Sequence, residues 1–489
     1  MTKNLMVFGT SSHAGKSMLV TALCRSLSRK YSVAPFKAQN MSLNSWITRD
    51  GKEIGIAQAT QAKAAGVEPT ADMNPVLLKP KGDRISQVIL LGQPFADKKA
   101  GDYYDSIDEM IGIVKGAYDR LASQYDVIVI EGAGGAAEIN LYHRDIVNIG
   151  TARMVKPPII LVGDIERGGV FASIYGTLAL LPEDIKPLVF GIIINKFRGD
   201  IKLLEPGIKQ LEELTCLPVL GVIPHTEIRI PSEDSVSIQD KTCNHHPVRI
   251  AVVRLSHISN FTDLEPLEKY ADIRYVETAD DLAGHDAIII PGTKNTIDDF
   301  NDLTKGMDRI IIEEAKKGTP VIGICGGYQM LGNEIIDSGV EGTGGARTIK
   351  GLGLLDISTR FSKYMKKTEQ VEKKITGDGA ILEKIKGEKV SGYEIHMGET
   401  LIDPQNGNCG HAFGDDGCVS RNGLVIGTYL HGIFENKNIR DAFLDYLYKR
   451  KGMIFRSNDE GDSIEELAAF VEKNINMDLI FRKIENETA

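Results

Sequence analysis

No stretch of the sequence is apolar for long enough to cross a membrane. The amino-terminal run Met1-Thr-Lys-Asn carries no signal-peptide pattern either. It leads straight into a short strand-like segment and a Gly-rich turn, without a small-residue cleavage site after a long apolar core. Positive charge is not in excess. Lys and Arg number 57 against 67 Asp and Glu, a formal net charge of −10, which disfavours nucleic acid as the main partner. Cysteine is sparse: the six, at 24, 216, 243, 325, 409 and 418, are too scattered for a small disulfide framework and fit a reducing cytoplasm. Cys243 with His245 and His246, and Cys409 with His411 and Cys418, offer no complete metal-ligand set and read as linker and loop. What remains is an ordinary globular balance, 42% hydrophobic and 25% charged over 489 residues, long enough for two to four domains.

The chain is organised around Val321-Ile-Gly-Ile-Cys325-Gly-Gly-Tyr-Gln-Met-Leu-Gly332. Val321 to Ile324 is a short apolar run that reads as a buried strand, and helix-like spacing follows from Tyr328. Cys325 therefore stands at a sharp strand-to-helix turn, a position that pushes a nucleophile out of a sheet's carboxyl edge. Gly326 and Gly327 allow the tight turn and the close approach of a substrate. The Gly326 N–H is placed to hold an oxyanion.

A second motif opens the chain. Leu5 to Phe8 reads as a strand, Gly9-Thr10-Ser-Ser-His-Ala-Gly15-Lys16-Ser17 as a Gly-rich loop, and Met18 to Leu27 as a helix. Loop N–H groups in this arrangement cradle phosphates, Lys16 reaches the terminal ones, and the Ser17 hydroxyl can ligate Mg²⁺. The spacing departs from the strict P-loop pattern, since Gly9 lies one position early and Thr10 occupies the usual glycine position.

Further strands carry polar residues at their carboxyl ends, where open α/β sheets bind ligands. Val33 to Lys37 leads into Lys37-Ala-Gln39-Asn40, candidate contacts for substrate or phosphate. The continuous apolar run Tyr125 to Ile130 reads as a central parallel strand and ends in Glu131, a carboxylate suited to Mg²⁺ beside a P-loop. Pro158 to Val162, Leu188 to Ile194 and Pro218 to Pro224 are three more strands. Repeated strand-then-helix units predict a parallel sheet.

After a polar stretch from Ser232 to Pro247, strands resume at Val248. Asp286 to Ile290 ends in Pro291-Gly292-Thr293, and Val425 to Leu430 ends in His431. Cysteine and histidine far apart in sequence, both at strand ends, fit a thiolate–imidazole pair in which His431 takes the Cys325 proton. His396, within Ser391-Gly-Tyr-Glu-Ile-His396-Met-Gly398, reads as a positioning residue. Lys363 to Lys374 reads as a solvated hairpin or helix face, and Asn438 to Lys473 as a largely helical cap.

These strings carry a resemblance. The loop Gly-Thr-x-x-x-x-Gly-Lys-Ser resembles dethiobiotin synthetase and its relatives; Ser11, where partition and division-site ATPases have a second lysine, disfavours that subclass. In related P-loop proteins an Asn placed like Asn195 contacts the nucleotide base. The Cys325 turn with Pro291-Gly292-Thr293 resembles class I glutamine amidotransferases, which implies a second oxyanion N–H around Gly292 and Thr293. Many of those enzymes have Glu two residues after the histidine. Here that position is Ile433, so a pair rather than a triad is expected.

More specifically, several strings resemble the adenosylcobyric acid synthase family. They are Pro35-Phe-Lys-Ala-Gln-Asn-Met, Asp72-Met-Asn-Pro-Val-Leu-Leu-Lys-Pro, Glu131-Gly-Ala-Gly, Asp145-Ile-Val-Asn, Arg167-Gly-Gly-Val-Phe-Ala-Ser and Ile194-Asn-Lys-Phe-Arg-Gly-Asp. His13 departs from the family pattern, where Asp is expected in the loop. The resemblance runs from the first strand to near residue 450 and implies a P-loop parallel-sheet domain (1–235), a linker (236–247) and a class I amidotransferase-like α/β domain (248–450); residues 451–489 read as a helical extension. It also implies ATP, Mg²⁺ and glutamine as the small molecules used, and amidation of the b, d, e and g carboxylates of a corrinoid, adenosylcobyrinic acid a,c-diamide. Cobyrinic acid a,c-diamide synthase is the alternative within this chemistry. A nucleotide switch with an inactive amidotransferase-like domain is the alternative outside it. The oligomeric state stays open.

Overall fold

A computed structural model describes residues 2–82, 85–99, 107–228, 230–231, 246–341, 345–363, 366–403, 409–457 and 461–486. Most of the expected linker, with Cys243 and His245, lies outside the described residues.

The amino-terminal half is built on a six-stranded sheet. Its order is Val219–Pro224, Val189–Phe197, Ile159–Asp164, Lys3–Gly9, Val127–Glu131, Val33–Phe36, with every pairing parallel. Val127–Glu131 is buried along its whole length, as a strand covered by helices on both faces must be. The chain first adds strands on one side of Lys3–Gly9 and then on the other. That switch point opens a crevice at the carboxyl ends of Lys3–Gly9 and Val127–Glu131, which carry Gly9 and Glu131. A separate small sheet pairs Gln39–Met41 in parallel with Val76–Gly82, and the latter antiparallel with Ile85–Leu90.

The carboxyl-terminal half holds a seven-stranded sheet, ordered Asp272–Val276, Arg249–Val253, Ala287–Ile290, Val321–Ile324, Val425–Thr428, Asp416–Ser420, Cys409–Phe413. Its first five strands are parallel and the last two antiparallel. Val321–Ile324 sits beside Val425–Thr428, so the chain after each, with Cys325 and His431, emerges at the same edge.

Two expectations are corrected in part. The lysine-rich run takes the expected hairpin form, Lys367–Lys374 pairing antiparallel with Lys389–His396, but it is not solvated throughout, since the side chain of Lys366 is 9% exposed. Nor is 438–473 a single cap. Helix Lys437–Arg450 packs on the second domain through Phe443, Leu444 and Leu447. Helices Ser463–Asn474 and Met477–Glu485 return to the first, where Leu467, Val471, Ile480 and Ile484 join the apolar cluster of Leu19 and Leu23. Asp462 caps the returning helix by accepting from the N–H groups of Ile464 and Glu465, and its carboxylate pairs with Arg25 at 2.6 Å. Among the described residues no helix is long and apolar enough to cross a membrane.

Candidate active site

Cys325 has φ 52° and ψ −110°, outside the ordinary wells for a residue with a Cβ. The strain is held by neighbours on all sides. Its N–H donates to the Thr428 carbonyl at 2.8 Å, and its Sγ lies 3.5 Å from the Ile395 carbonyl oxygen. The two glycines after it are required by space. A Cβ at Gly327 would sit 2.0 Å from the Ile290 oxygen, and one at Gly326 would sit 2.5 Å from Thr293 Cγ2 and 3.4 Å from the Thr293 nitrogen. The Pro291-Gly292-Thr293 loop is thus pressed against the Cys325 turn. Gly292 is also close to the histidine, since a Cβ there would be 3.1 Å from His431 Cε1.

His431 is 1% exposed and lies close enough to Cys325 to feel its charge. Its Nδ1 donates to Asp263 Oδ2 at 2.6 Å, while Asp263 Oδ1 accepts the Gly432 N–H at 2.8 Å. The expected pair is therefore a chain of three groups. The carboxylate comes from the 3-10 segment Phe261–Leu267, not from the position after the histidine. Burial is the largest influence on His431 and would lower its pKa. The Asp263 carboxylate and Cys325 outweigh it and hold the imidazolium up to about 10. Tyr393 stacks on the His431 ring at 5.3 Å, and Trp46 of the first domain lies 5.2 Å from Tyr393. His396 faces a different partner. Its Nε2 is 3.6 Å from Glu394, and its ring stacks on Tyr429.

The cavity at Cys325 is small, about 50 Å³, and is lined by Thr293, Gln329, His396 and three lysines, Lys79, Lys294 and Lys366. Lys79 belongs to the first domain, so the pocket is completed from across the interface. Two further contacts clasp the halves together: Ser45 N–H donates to Asn260 Oδ1 at 2.9 Å, and Phe261 N–H donates to Asn44 Oδ1 at 3.1 Å.

The second constellation gathers at the P-loop. Lys16 is 6% exposed, and its Nζ donates to the carbonyl oxygens of Ser11 at 3.0 Å and Gly134 at 2.8 Å. Thr10 is tied to the neighbouring strand through the Val162 carbonyl at 3.0 Å. A Cβ at Gly9 would meet Lys16 Nζ at 2.9 Å, so the loop closes over its lysine. Ser17 Oγ donates to Glu131 Oε1 at 2.9 Å, and Lys37 Nζ pairs with the same oxygen at 2.8 Å. Gln61 Nε2 donates to Glu131 Oε2. Hydroxyl and carboxylate oxygens side by side are the donor set that a hard divalent cation takes, so Ser17 and Glu131 fit Mg²⁺. Asn195 Nδ2 donates to the Ala14 carbonyl at 2.9 Å and lies against Gly15, whose φ is +100°. Both border a cleft of about 810 Å³ that also includes Met18, Lys196, His225 and Ile464. His13 takes φ 59° in the loop, a conformation that Asp and Asn share more readily than most residues.

Not every residue picked from the sequence points at this site. Lys37 reaches Glu131. Asn40 Nδ2 instead donates to Gln58 Oε1 at 3.1 Å, and Gln39 is half-buried on the strand that pairs with Val76–Gly82. Asp263, Gln61 and the lysines around Cys325 are additions that only the fold brings together.

Two family descriptions match the chain. A CobQ/CobB/MinD/ParA nucleotide binding domain covers residues 5–238, and a CobB/CobQ-like glutamine amidotransferase domain covers residues 249–439. A probable cobyric acid synthase of Methanosarcina mazei is 62% identical over 486 residues, 98% of each chain. The chain belongs to the cobyric acid synthase family. Its similarity to other members is also full-length. A probable cobyric acid synthase of Methanosarcina barkeri is 61% identical over 99% of each chain, and one of Methanoculleus marisnigri is 54% identical over 98% of each. The family consists of glutamine-hydrolysing carbon–nitrogen ligases of cobalamin biosynthesis. The two matched regions correspond to the two sheets, one behind the P-loop and one behind Cys325.

Proposed function

We propose that the protein uses ATP and glutamine to amidate the b, d, e and g side-chain carboxylates of adenosylcobyrinic acid a,c-diamide, giving adenosylcobyric acid. The observation that carries this reading is the presence, in one chain of this family, of a Cys325–His431–Asp263 relay and a Lys16–Ser17–Glu131 phosphate site. They lie on two domains that share a buried interface.

In the carboxyl-terminal half the Cys325 thiolate attacks the side-chain carbonyl carbon of glutamine. The Gly326 N–H, with that of Gly292 or Thr293, holds the developing oxyanion. The C–N bond breaks as His431 gives its proton to the departing nitrogen, releasing ammonia and leaving a thioester. Water then attacks the thioester, His431 takes back a proton, and glutamate leaves. Asp263 keeps the ring oriented and stabilises its positive charge throughout.

In the amino-terminal half a substrate carboxylate oxygen attacks the γ-phosphorus of ATP and ADP departs. The acyl phosphate so formed is the electrophile that a free carboxylate is not. Ammonia attacks its carbonyl carbon, phosphate leaves, and loss of a proton gives the amide. Lys16 turns from its loop carbonyls to the terminal phosphates, and Asn195 borders the space for the base. Ser17 and Glu131 would hold Mg²⁺, which would neutralise phosphate charge. Lys37, released from Glu131, is placed for a phosphate or for the substrate carboxylate.

Cys325→Ala tests the division of labour. The variant is expected to lose glutamine-dependent amidation and keep amidation from ammonium salts. Glutamine-dependent turnover by the variant would contradict the assignment.

A further inference from the structure

Beside the Cys325 cavity, where the two domains meet, lies a buried charge cluster that neither half-reaction uses. Glu53 has no exposure. Its carboxylate takes Lys79 of its own domain on one oxygen and Lys366 of the other domain on the second, and Ser45 Oγ donates to it at 2.8 Å. Burial would raise its pKa, but Lys366, Lys79 and Lys294 together hold it well below the usual carboxylate range. Taking such groups out of water is costly, and replacing buried ion pairs by apolar groups is often neutral for stability. Stability alone is therefore a weak reason for this cluster.

Its position gives a better one. Lys79, Lys294 and Lys366 line the Cys325 cavity, so the cluster forms the wall of that cavity facing the first domain. Both first-domain members are connected through the chain or a paired strand to residues that bond Glu131. Glu53 begins the strand Glu53–Gly55, which passes directly into helix Ile56–Ala65, and Gln61 of that helix bonds Glu131. From Gly55 to Gln61 is a rise of about 9 Å. Lys79 lies on the strand paired with Gln39–Met41, two residues after Lys37, whose Nζ bonds Glu131.

We propose that the Glu53–Lys79–Lys366 cluster is the gate through which ammonia passes from the Cys325 pocket to the P-loop domain. The proposal rests on the two-site reading above and deepens it. Ammonia is small and neutral; it can donate to the Glu53 carboxylate and accept from an ammonium group as it passes. Three lysine ammonium groups against one carboxylate repel the ammonium ion, so only the unprotonated, nucleophilic form crosses. The gate is closed by the two ion pairs, and one of them spans the domains.

The test is isotopic. The enzyme is given a corrinoid a,c-diamide, ATP, Mg²⁺ and [amide-¹⁵N]glutamine, with excess unlabelled ammonium in the buffer. Wild type is expected to form one glutamate per amide and to keep the label in the product. Glu53→Gln is expected to raise glutamate formed per amide severalfold and to lose product label. Its turnover with ammonium alone should stay near wild type, which shows an intact synthetase site. The neutral double variant Glu53→Gln/Lys79→Gln leaves fewer buried charges unpaired and should behave alike if the single variant folds poorly. A glutamate-to-amide ratio and label retention equal to wild type in the double variant would overturn the gate. Absence of corrinoid amidation by wild type would instead overturn the proposed function.

Discussion

Asp263 Oδ2 lies 2.6 Å from His431 Nδ1, bridging residues 168 positions apart. The contact fixes which ring nitrogen faces Cys325 and keeps the ring charged. Below the His431 pKa of about 10 the thiolate–imidazolium pair can exist, and above it the imidazolium is lost. Asp263→Asn removes the larger raising influence and leaves burial, which lowers the pKa, opposed by Cys325 alone. The alkaline limb of the glutaminase pH profile should move to lower pH, and kcat should fall about 100-fold or more. A profile unchanged in position would mean that Asp263 does not govern the ring. The same shift contributes stability. His431 binds its proton more tightly folded than unfolded, so the contribution is complete below the unfolded pKa of about 6.5 and disappears as pH rises through about 10. Urea midpoints across the alkaline range should show that loss in wild type and much less of it in Asp263→Asn.

Glu131 accepts from Ser17, Lys37 and Gln61 at once, so its charge organises the side chains beside the P-loop. Glu131→Gln should lower ammonium-supported amidation by about 10–100-fold, the usual range when a metal site loses a supporting group. Raised Mg²⁺ should restore part of the rate. An unchanged rate at limiting Mg²⁺ would remove Glu131 from the metal site.

Leu467 has no exposure and packs with Leu19 and Leu23 behind the P-loop helix Lys16–Ser28. Leu467→Ala should cost about 2–5 kcal/mol. Thermal denaturation should show a lowered first transition, and saturating ATP should recover part of the loss. A midpoint equal to wild type would mean that the returning helices do not complete that core.

The sequence made the strand-end positions legible because their signals are local. Apolar runs followed by glycine turns located Gly9 to Ser17, Glu131, Cys325 and His431 within a few residues of their strands. Asp263 was not legible as a partner of His431. The carboxylate is sought just after the histidine, where Ile433 stands, and nothing around residue 263 marks the long-range contact. The burial of Lys366 is hidden from the sequence for a related reason. A lysine run signals solvent unless an anion waits across a fold, and Glu53 waits 313 residues away in the other domain. The apolar positions of Ser463–Asn474 announce a helix but not which of two sheets it covers.

The most direct test is mass spectrometry of a corrinoid a,c-diamide incubated with the enzyme, ATP, Mg²⁺ and glutamine. A ladder of acid-to-amide mass changes ending at four amidations is expected, and it should be absent in Lys16→Ala. Unchanged corrinoid mass, with glutamine hydrolysis and ATP hydrolysis both intact, would contradict the assigned substrate.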